Sequence, residues 1–164
     1  MSQRIVIDSK AFAREARLLE GKLPVASLDN RVLDLLIDSG GNLQYRVEGL
    51  VDSRNKLQVK LWLDGSLSVR CQRCLESIVY PVKIRSLLEF VDDESELTQE
   101  DFEDDSKDFL SAQKELDVVA LIEDEIILDL PSAPRHESCA LPDAELGTGK
   151  VSPFSVLQGL RRKA

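Results

Sequence analysis

The residues of this 164-residue chain best equipped for chemistry are three cysteines and a single histidine. Two cysteines stand in the run Cys71-Gln72-Arg73-Cys74, and the third follows the histidine as His136-Glu137-Ser138-Cys139. A turn with cysteines three apart can aim both thiolates at one ion. A second such pair completes the four nitrogen and sulfur ligands that structural zinc prefers. Sixty-one residues lie between Cys74 and His136, beyond the usual finger spacing, so only the fold could bring the pairs together. Three readings stay open: a structural zinc on Cys71, Cys74, His136 and Cys139, a site without metal whose cysteines merely pack, and redox chemistry. Redox ranks last, because a thioredoxin-like motif belongs at a helix start after a parallel strand, whereas this one joins two segments with antiparallel patterning.

Other catalytic constellations are missing from the sequence. General acid–base and nucleophilic catalysis lean on histidine, and with His136 alone no triad can be built. There is no GxGxxG fingerprint. Gly149-Lys150 is followed by Val151 rather than Ser or Thr, and position 144 is alanine where a phosphate loop needs its first glycine, so GTGK reads as linker. Glu123 and Asp124 are adjacent carboxylates, but on an amphipathic helix they read as a solvated face. The expectation is a protein that is not an enzyme and has no small-molecule substrate.

The elements that must position these residues follow from periodicity. Residues 3 to 7 read as a short strand, after which Asp8 or Ser9 can cap a helix running to Glu20 and stopped by Gly21 and Pro24, with Phe12, Ala16 and Leu19 on its buried side. A weaker helix is expected behind Ser27, through Val32, Leu33 and Leu36 to Ser39-Gly40-Gly41. From Asn42 to Phe90 the period changes to two, with turn signals at Asp52-Ser53-Arg54-Asn55, at Asp64-Gly65 and at the CQRC run, the pattern of an antiparallel meander. Its apolar face collects Leu43, Tyr45, Val47, Val59, Leu61, Leu63, Leu67, Val69, Val82 and Ile84. The other face collects Arg46, Lys60, Trp62, Arg70, Lys83 and Arg85 against the acids Glu48 and Asp64, with Gln58 among them. Asp117 can cap a helix in which Val119, Ile122, Ile126 and Leu130 recur at three-to-four spacing, ended by Pro131. Past the linker, Ser152-Pro153 can start a short helix with Phe154, Leu157 and Leu160 on one side, a docking motif for its own domain or a partner.

Charge is unevenly distributed. From Asp92 to Asp108 there are ten acids and one base, Lys107, so this segment alone accounts for the net charge of −9 and the remaining 20 acids and 20 bases cancel. Such a run repels itself and is expected to be a solvated loop, with a docking arm for a basic partner as the other reading. No stretch approaches the roughly 18 apolar residues of a membrane span, and MSQRIVIDSK lacks the apolar core of a secretory signal, so a cytoplasmic location without membrane contact is expected.

Three segments taken together, CQRCLESI at residues 71 to 78, LIEDEIILDLP at 121 to 131 followed by Pro134-Arg135-His136 and Cys139, and the ending SPFSVLQGLRRK, resemble the YceD family of large ribosomal RNA subunit accumulation proteins. The resemblance spans roughly residues 57 to 163. It implies a role in the synthesis, processing or stability of 23S ribosomal RNA, supplies no catalytic residue, and matches Cys71, Cys74, His136 and Cys139 to positions that could form a family metal site.

The expected architecture is one α+β domain over residues 1–142: a twisted antiparallel sheet, open or partly closed, with helices on its apolar face, an acidic loop at about 91–108, and a linker and short helix over 143–164. The expected function is an accessory factor in large-subunit biogenesis that binds precursor 23S rRNA, a large-subunit ribosomal protein or both. RNA contact is assigned to Arg46, Lys60, Trp62, Arg70, Lys83 and Arg85. The alternatives are an acidic adaptor for a basic ribosomal protein and, behind it, an RNA-processing enzyme.

Overall fold

The computed structural model describes residues 4–140 apart from Glu94, Glu96 and Asp104. The expected linker and the terminal helix with Phe154, Leu157 and Leu160 lie outside the described residues. The elements are, in order, β1 (Val6–Ile7), α1 (Ser9–Arg14), β2 (Leu18–Pro24), α2 (Asn30–Leu33), β3 (Asn42–Val51), β4 (Leu57–Arg70), β5 (Ser77–Val91), α3 (Gln99–Glu103), β6 (Asp108–Ser111), β7 (Leu116–Asp117) and α4 (Val118–Asp129). The main sheet has the order β2-β3-β4-β5-β6, and β1 pairs with β7 in a separate two-stranded ladder.

The meander forms where alternation predicts it. β3, β4 and β5 pair antiparallel, with Arg46 opposite Trp62 and Trp62 opposite Arg85. Leu43, Val47, Val59, Leu61, Leu63, Leu67 and Val82 are all buried on the inner face. Each such side chain removed from water contributes roughly 1.5–3 kcal/mol, which is what fixes the register, since a one-residue slip would send the whole set to solvent. In the first hairpin the Asp52 carboxylate accepts from the amides of Arg54 and Lys56, both at 2.8 Å, while Asn55 takes a left-handed φ of 65°. The Lys56 amide in particular holds the Asp52 carboxyl below its ordinary pKa.

α1 and α4 close the inner face, through Phe12 and Ala13 from the first and Val118, Val119, Leu121, Ile122 and Ile126 from the second. α1 lies so close to β3 that a Cβ on Gly49 would stand 2.3 Å from the Phe12 carbonyl oxygen. Asp117 caps α4, its carboxylate accepting from the amides of Val119 at 3.0 Å and Ala120 at 3.4 Å. The chain leaves the helix at Leu130-Pro131, because proline can neither donate an amide nor accept a preceding helical residue easily.

Five expectations are corrected. The first helix stops at Arg14 instead of Glu20: Ala16 turns left-handed at φ 47°, and Leu18–Pro24 becomes the edge strand β2 against β3, with Leu19 and Leu23 facing inward and Ala16 exposed. The second helix is one turn, Asn30–Leu33, capped by Asp29 rather than Ser27, and Leu36 instead bridges to Val69. Asp64-Gly65 is no turn. β4 passes straight through it, and the glycine is there because a Cβ would stand 2.6 Å from Leu43 Cδ2. The sheet is open, and mixed rather than antiparallel, because β6 lies parallel to β5.

The fifth correction concerns the acidic stretch. It carries α3 and leads into β6, and its one base, Lys107, is buried with its Nζ 2.8 Å from the equally buried Glu89 carboxylate. Gln58 donates to the same carboxylate at 3.0 Å. An ion pair this dry is tolerated because its remaining valences are met, with Lys56 and Asp101 each 3.9 Å away as outer partners. The segment therefore covers one end of the outer sheet face, where Gln58 and Glu89 would otherwise be exposed.

Candidate metal centre and outer sheet face

The CQRC run is the turn of the β4–β5 hairpin. The Cys71 amide donates to the Glu76 carbonyl at 2.8 Å, the Leu75 amide donates back to Cys71 at 3.0 Å, and Leu75 takes a left-handed φ of 66°. That geometry turns the amides of Arg73 and Cys74 onto Cys71 Sγ, at 3.4 and 3.5 Å. The second pair is delivered by α4. Beyond Pro131 the Pro134 carbonyl accepts from the Gln72 amide at 2.8 Å, which ties the loop to the hairpin turn, and the Tyr80 hydroxyl donates to the Asp129 carbonyl at 3.0 Å, which ties the end of α4 to β5.

The four side chains converge as the zinc reading requires. Their ligand atoms all lie within 4.8 Å of one another, with Cys71 Sγ 3.7 Å from Cys139 Sγ and Cys74 Sγ 3.3 Å from His136 Nδ1. Two thiolates at about 2.3 Å from a tetrahedral zinc would stand about 3.8 Å apart, so the first separation is that of a ligand pair. His136 Nε2 donates to the Ser77 carbonyl at 3.2 Å, which fixes the tautomer that leaves Nδ1 with a lone pair toward the cysteines. Arg73 donates to the Cys139 carbonyl at 3.1 Å and anchors the last ligand.

Electrostatics favour one ready thiolate. Burial opposes ionisation of Cys71, but the amides of Cys74, His136 and Arg73 outweigh it and bring its pKa to about 5 from an ordinary 9.0. At Cys74 the Glu76 amide favours the thiolate, and burial together with the neighbouring Cys71 and Cys139 sulfurs pushes the pKa up. A cation would reverse that last effect, since it stabilises all the sulfurs as thiolates at once. The residues fit a four-coordinate metal.

The outer face gathers five of the six residues considered for RNA binding. Arg46, Trp62 and Arg85 form a row across β3, β4 and β5, flanked by Lys60 opposite Glu48 and by Lys83 opposite Asp64. The Arg46 guanidinium lies 5.4 Å from the Trp62 ring centroid and 3.6 Å from Glu48. Arg85 grips Asp64 with two bonds of 2.8 and 2.9 Å. Lys60 and Lys83 have no ion pair among the described residues. Arg70 stands apart at the end of β4, eight residues from Trp62 and so roughly 26 Å along the strand, beside Cys71.

Two contributors escaped sequence reading. Lys22 joins the face because Leu18–Pro24 is a strand, in register with Gln44 and through it with Asp64. Glu123, expected in solvent, is buried: it accepts from the Asp29 amide at 2.7 Å and from two nitrogens of Arg31 at 2.9 and 3.2 Å. No local signal announces either contact, because both partners come from segments distant in sequence.

The chain is thus an open α+β sheet whose longest hairpin ends in a Cys3His cluster that could hold a metal ion. Residues 59–161 match the family model of YceD, the large ribosomal RNA subunit accumulation protein, and the chain belongs to that family. The match takes in all four cluster residues together with Lys60, Trp62, Lys83 and Arg85, while β2 and β3 precede it. No solved structure matches the chain. The family name places the chain in large-subunit ribosomal RNA accumulation. Among the described residues no helix is long and apolar enough to cross a membrane.

Proposed function

We propose that this protein is a non-enzymatic accessory factor in large ribosomal subunit biogenesis that binds precursor 23S rRNA through the outer sheet face. The supporting observation is the placement of charge. On that face, from β2 to β5, five bases (Lys22, Arg46, Lys60, Lys83, Arg85) stand against three exposed or half-exposed acids (Glu20, Glu48, Asp64), with Arg70 apart at the end of β4, in a chain of net charge −9. A surplus of that sign on an open face attracts phosphate, while the acid-rich segment is folded to one side of it. The work is done in the cytoplasm, where such RNA is assembled.

Zinc on Cys71, Cys74, His136 and Cys139 would have four protein ligands and no open position, the form of a structural site. It would supply cohesion at the hairpin turn, leaving nothing for a substrate to coordinate, in keeping with an accessory role.

The test is the salt dependence of binding to precursor 23S fragments by the full chain and by a Lys22→Gln, Lys60→Gln, Lys83→Gln variant. For each lysine that pairs with a phosphate, its removal should flatten the slope of log affinity against log salt by about 0.7–0.9. An unchanged affinity and slope would favour an adaptor that docks a basic ribosomal protein.

A further inference from the structure

We infer that Trp62 is the stacking platform for an unpaired RNA base, so that the RNA this face takes is single-stranded. The inference rests on the RNA-binding reading and specifies its ligand. On the outer face of β2, β3 and β4 lies a hollow of about 750 Å³, lined by Glu20, Lys22, Gln44, Arg46, Trp62 and Asp64 together with Gly21 and Tyr45. A second hollow of about 260 Å³ lies against the same indole, with Lys60 and Arg85 in its wall. Trp62 thus stands as a half-buried partition between two recesses, open to ligand on the sheet surface.

The side chains around it divide the parts of a nucleotide. The wall of the larger hollow sets Lys22 and Arg46 against two carboxylates, Glu20 and Asp64. Glu20 has no ion pair among the described residues and Asp64 is already held by Arg85, so the charges balance and the hollow offers phosphate no net attraction. A base needs none. Its amino and imino hydrogens can be accepted by Glu20 and by the Gln44 amide oxygen, while its π-face lies on the indole in place of the Arg46 guanidinium, which stands 5.4 Å from the ring centroid in the free protein. Lys22 stands in the wall of the hollow on β2, and Lys60 and Lys83 lie beyond it on β4 and β5, none of them ion-paired among the described residues. From β2 to β5 is three strand spacings, roughly 14 Å, so the phosphates before and after the seated base have a lysine on either side. A duplex keeps its bases stacked on one another and offers only backbone, which has no π-face to lay on the recessed indole.

Trp62 is the only tryptophan in the chain, so its emission reports on this position alone. The full chain should be titrated with a ten-nucleotide single-stranded RNA and with the same RNA annealed to its complement. Stacking predicts that the single strand quenches Trp62 emission and binds more tightly than the duplex. Trp62→Ala should weaken single-strand binding by about 5- to 150-fold, with the salt slope unchanged because every cation that meets a phosphate is still in place. Trp62→Phe, which keeps a ring and guards against misfolding of the alanine variant, should retain most of the affinity. Equal binding of both RNAs with unchanged emission overturns the stacking inference and leaves the RNA-binding reading standing. Binding of neither RNA, with capture of a basic large-subunit protein instead, overturns both.

Discussion

Replacing Glu123 by alanine removes a carboxylate that ties α2 to α4 across 92 residues of sequence. The side chain is 5% exposed and accepts three hydrogen bonds, one from the Asp29 amide and two from Arg31. Breaking a fully buried ion pair costs about 3–5 kcal/mol, whereas an exposed pair is worth about 0.2–1 kcal/mol. Arg31 lies between these limits. Its side chain is 40% exposed, and after the substitution it keeps Asp124 at 2.5 Å and the Ala120 carbonyl at 2.9 Å, so no buried charge is stranded. A loss of about 2 kcal/mol follows, equivalent to a fall of about 4–8 °C in Tm for a chain of this size. Urea unfolding at unchanged m-value measures it. Glu123→Gln should lose about half as much, since the amide oxygen still accepts from Asp29. In a double-mutant cycle with Arg31→Ala, a coupling energy indistinguishable from zero, or a Glu123→Ala loss under about 0.5 kcal/mol, would refute the reasoning.

Metal analysis of protein purified without chelators should give one zinc per chain, and Cys74→Ser should release it and unfold the hairpin turn. Well under one zinc per chain would reject the metal reading. Glu125 is buried beneath the sheet, and burial raises its pKa in the folded state despite a hydrogen bond from Ser86. An acid raised on folding binds its proton longer in the native state, so stability falls as pH climbs from the unfolded pKa through the folded one. Glu125→Gln should therefore be more stabilising at pH 7 than at pH 4, and an equal effect at both would contradict the assignment.

Much of the fold is legible because its signals are local. Strict alternation over Asn42–Phe90 and the Asp117 and Pro131 boundaries of α4 are written in consecutive residues. β2 is hidden for a definite reason: Phe12, Ala16 and Leu19 satisfy helical spacing, and only the left-handed Ala16 breaks the continuity. Gly65 reads as a turn residue, although its lack of a Cβ serves the close approach of Leu43. β6 has four residues and pairs parallel, which no pattern in Asp108–Ser111 announces. Burial of Glu123, Glu89 and Lys107 depends on partners from other segments, so charge alone places all three in solvent. The cluster is legible as four residues with ligand chemistry. That they meet depends on the helix connection that returns the chain to the hairpin turn.

The cluster and the outer face are physically separate yet coupled through register. Cys71 is nine residues beyond Trp62, in the turn just past the end of β4, roughly 30 Å away, too far for a bound metal to touch a base on the indole. The connection is the hairpin between them. β4 and β5 pair over thirteen positions, from Gln58 opposite Glu89 to Arg70 opposite Ser77, and the CQRC turn closes one end of that ladder. A one-residue slip of β4 would bury Lys60 and Trp62 and expose Leu61 and Leu63, and a slip of β5 would bury Lys83 and Arg85 and expose Ile84. At the far end the buried Lys107–Glu89 pair and the Gln58 amide hold the same two strands. The ladder is thus pinned at both ends by polar groups that work only in one register. Between the pins the inner face supplies the hydrophobic stabilisation, and the outer face carries the charged side chains and the half-buried Trp62 ring.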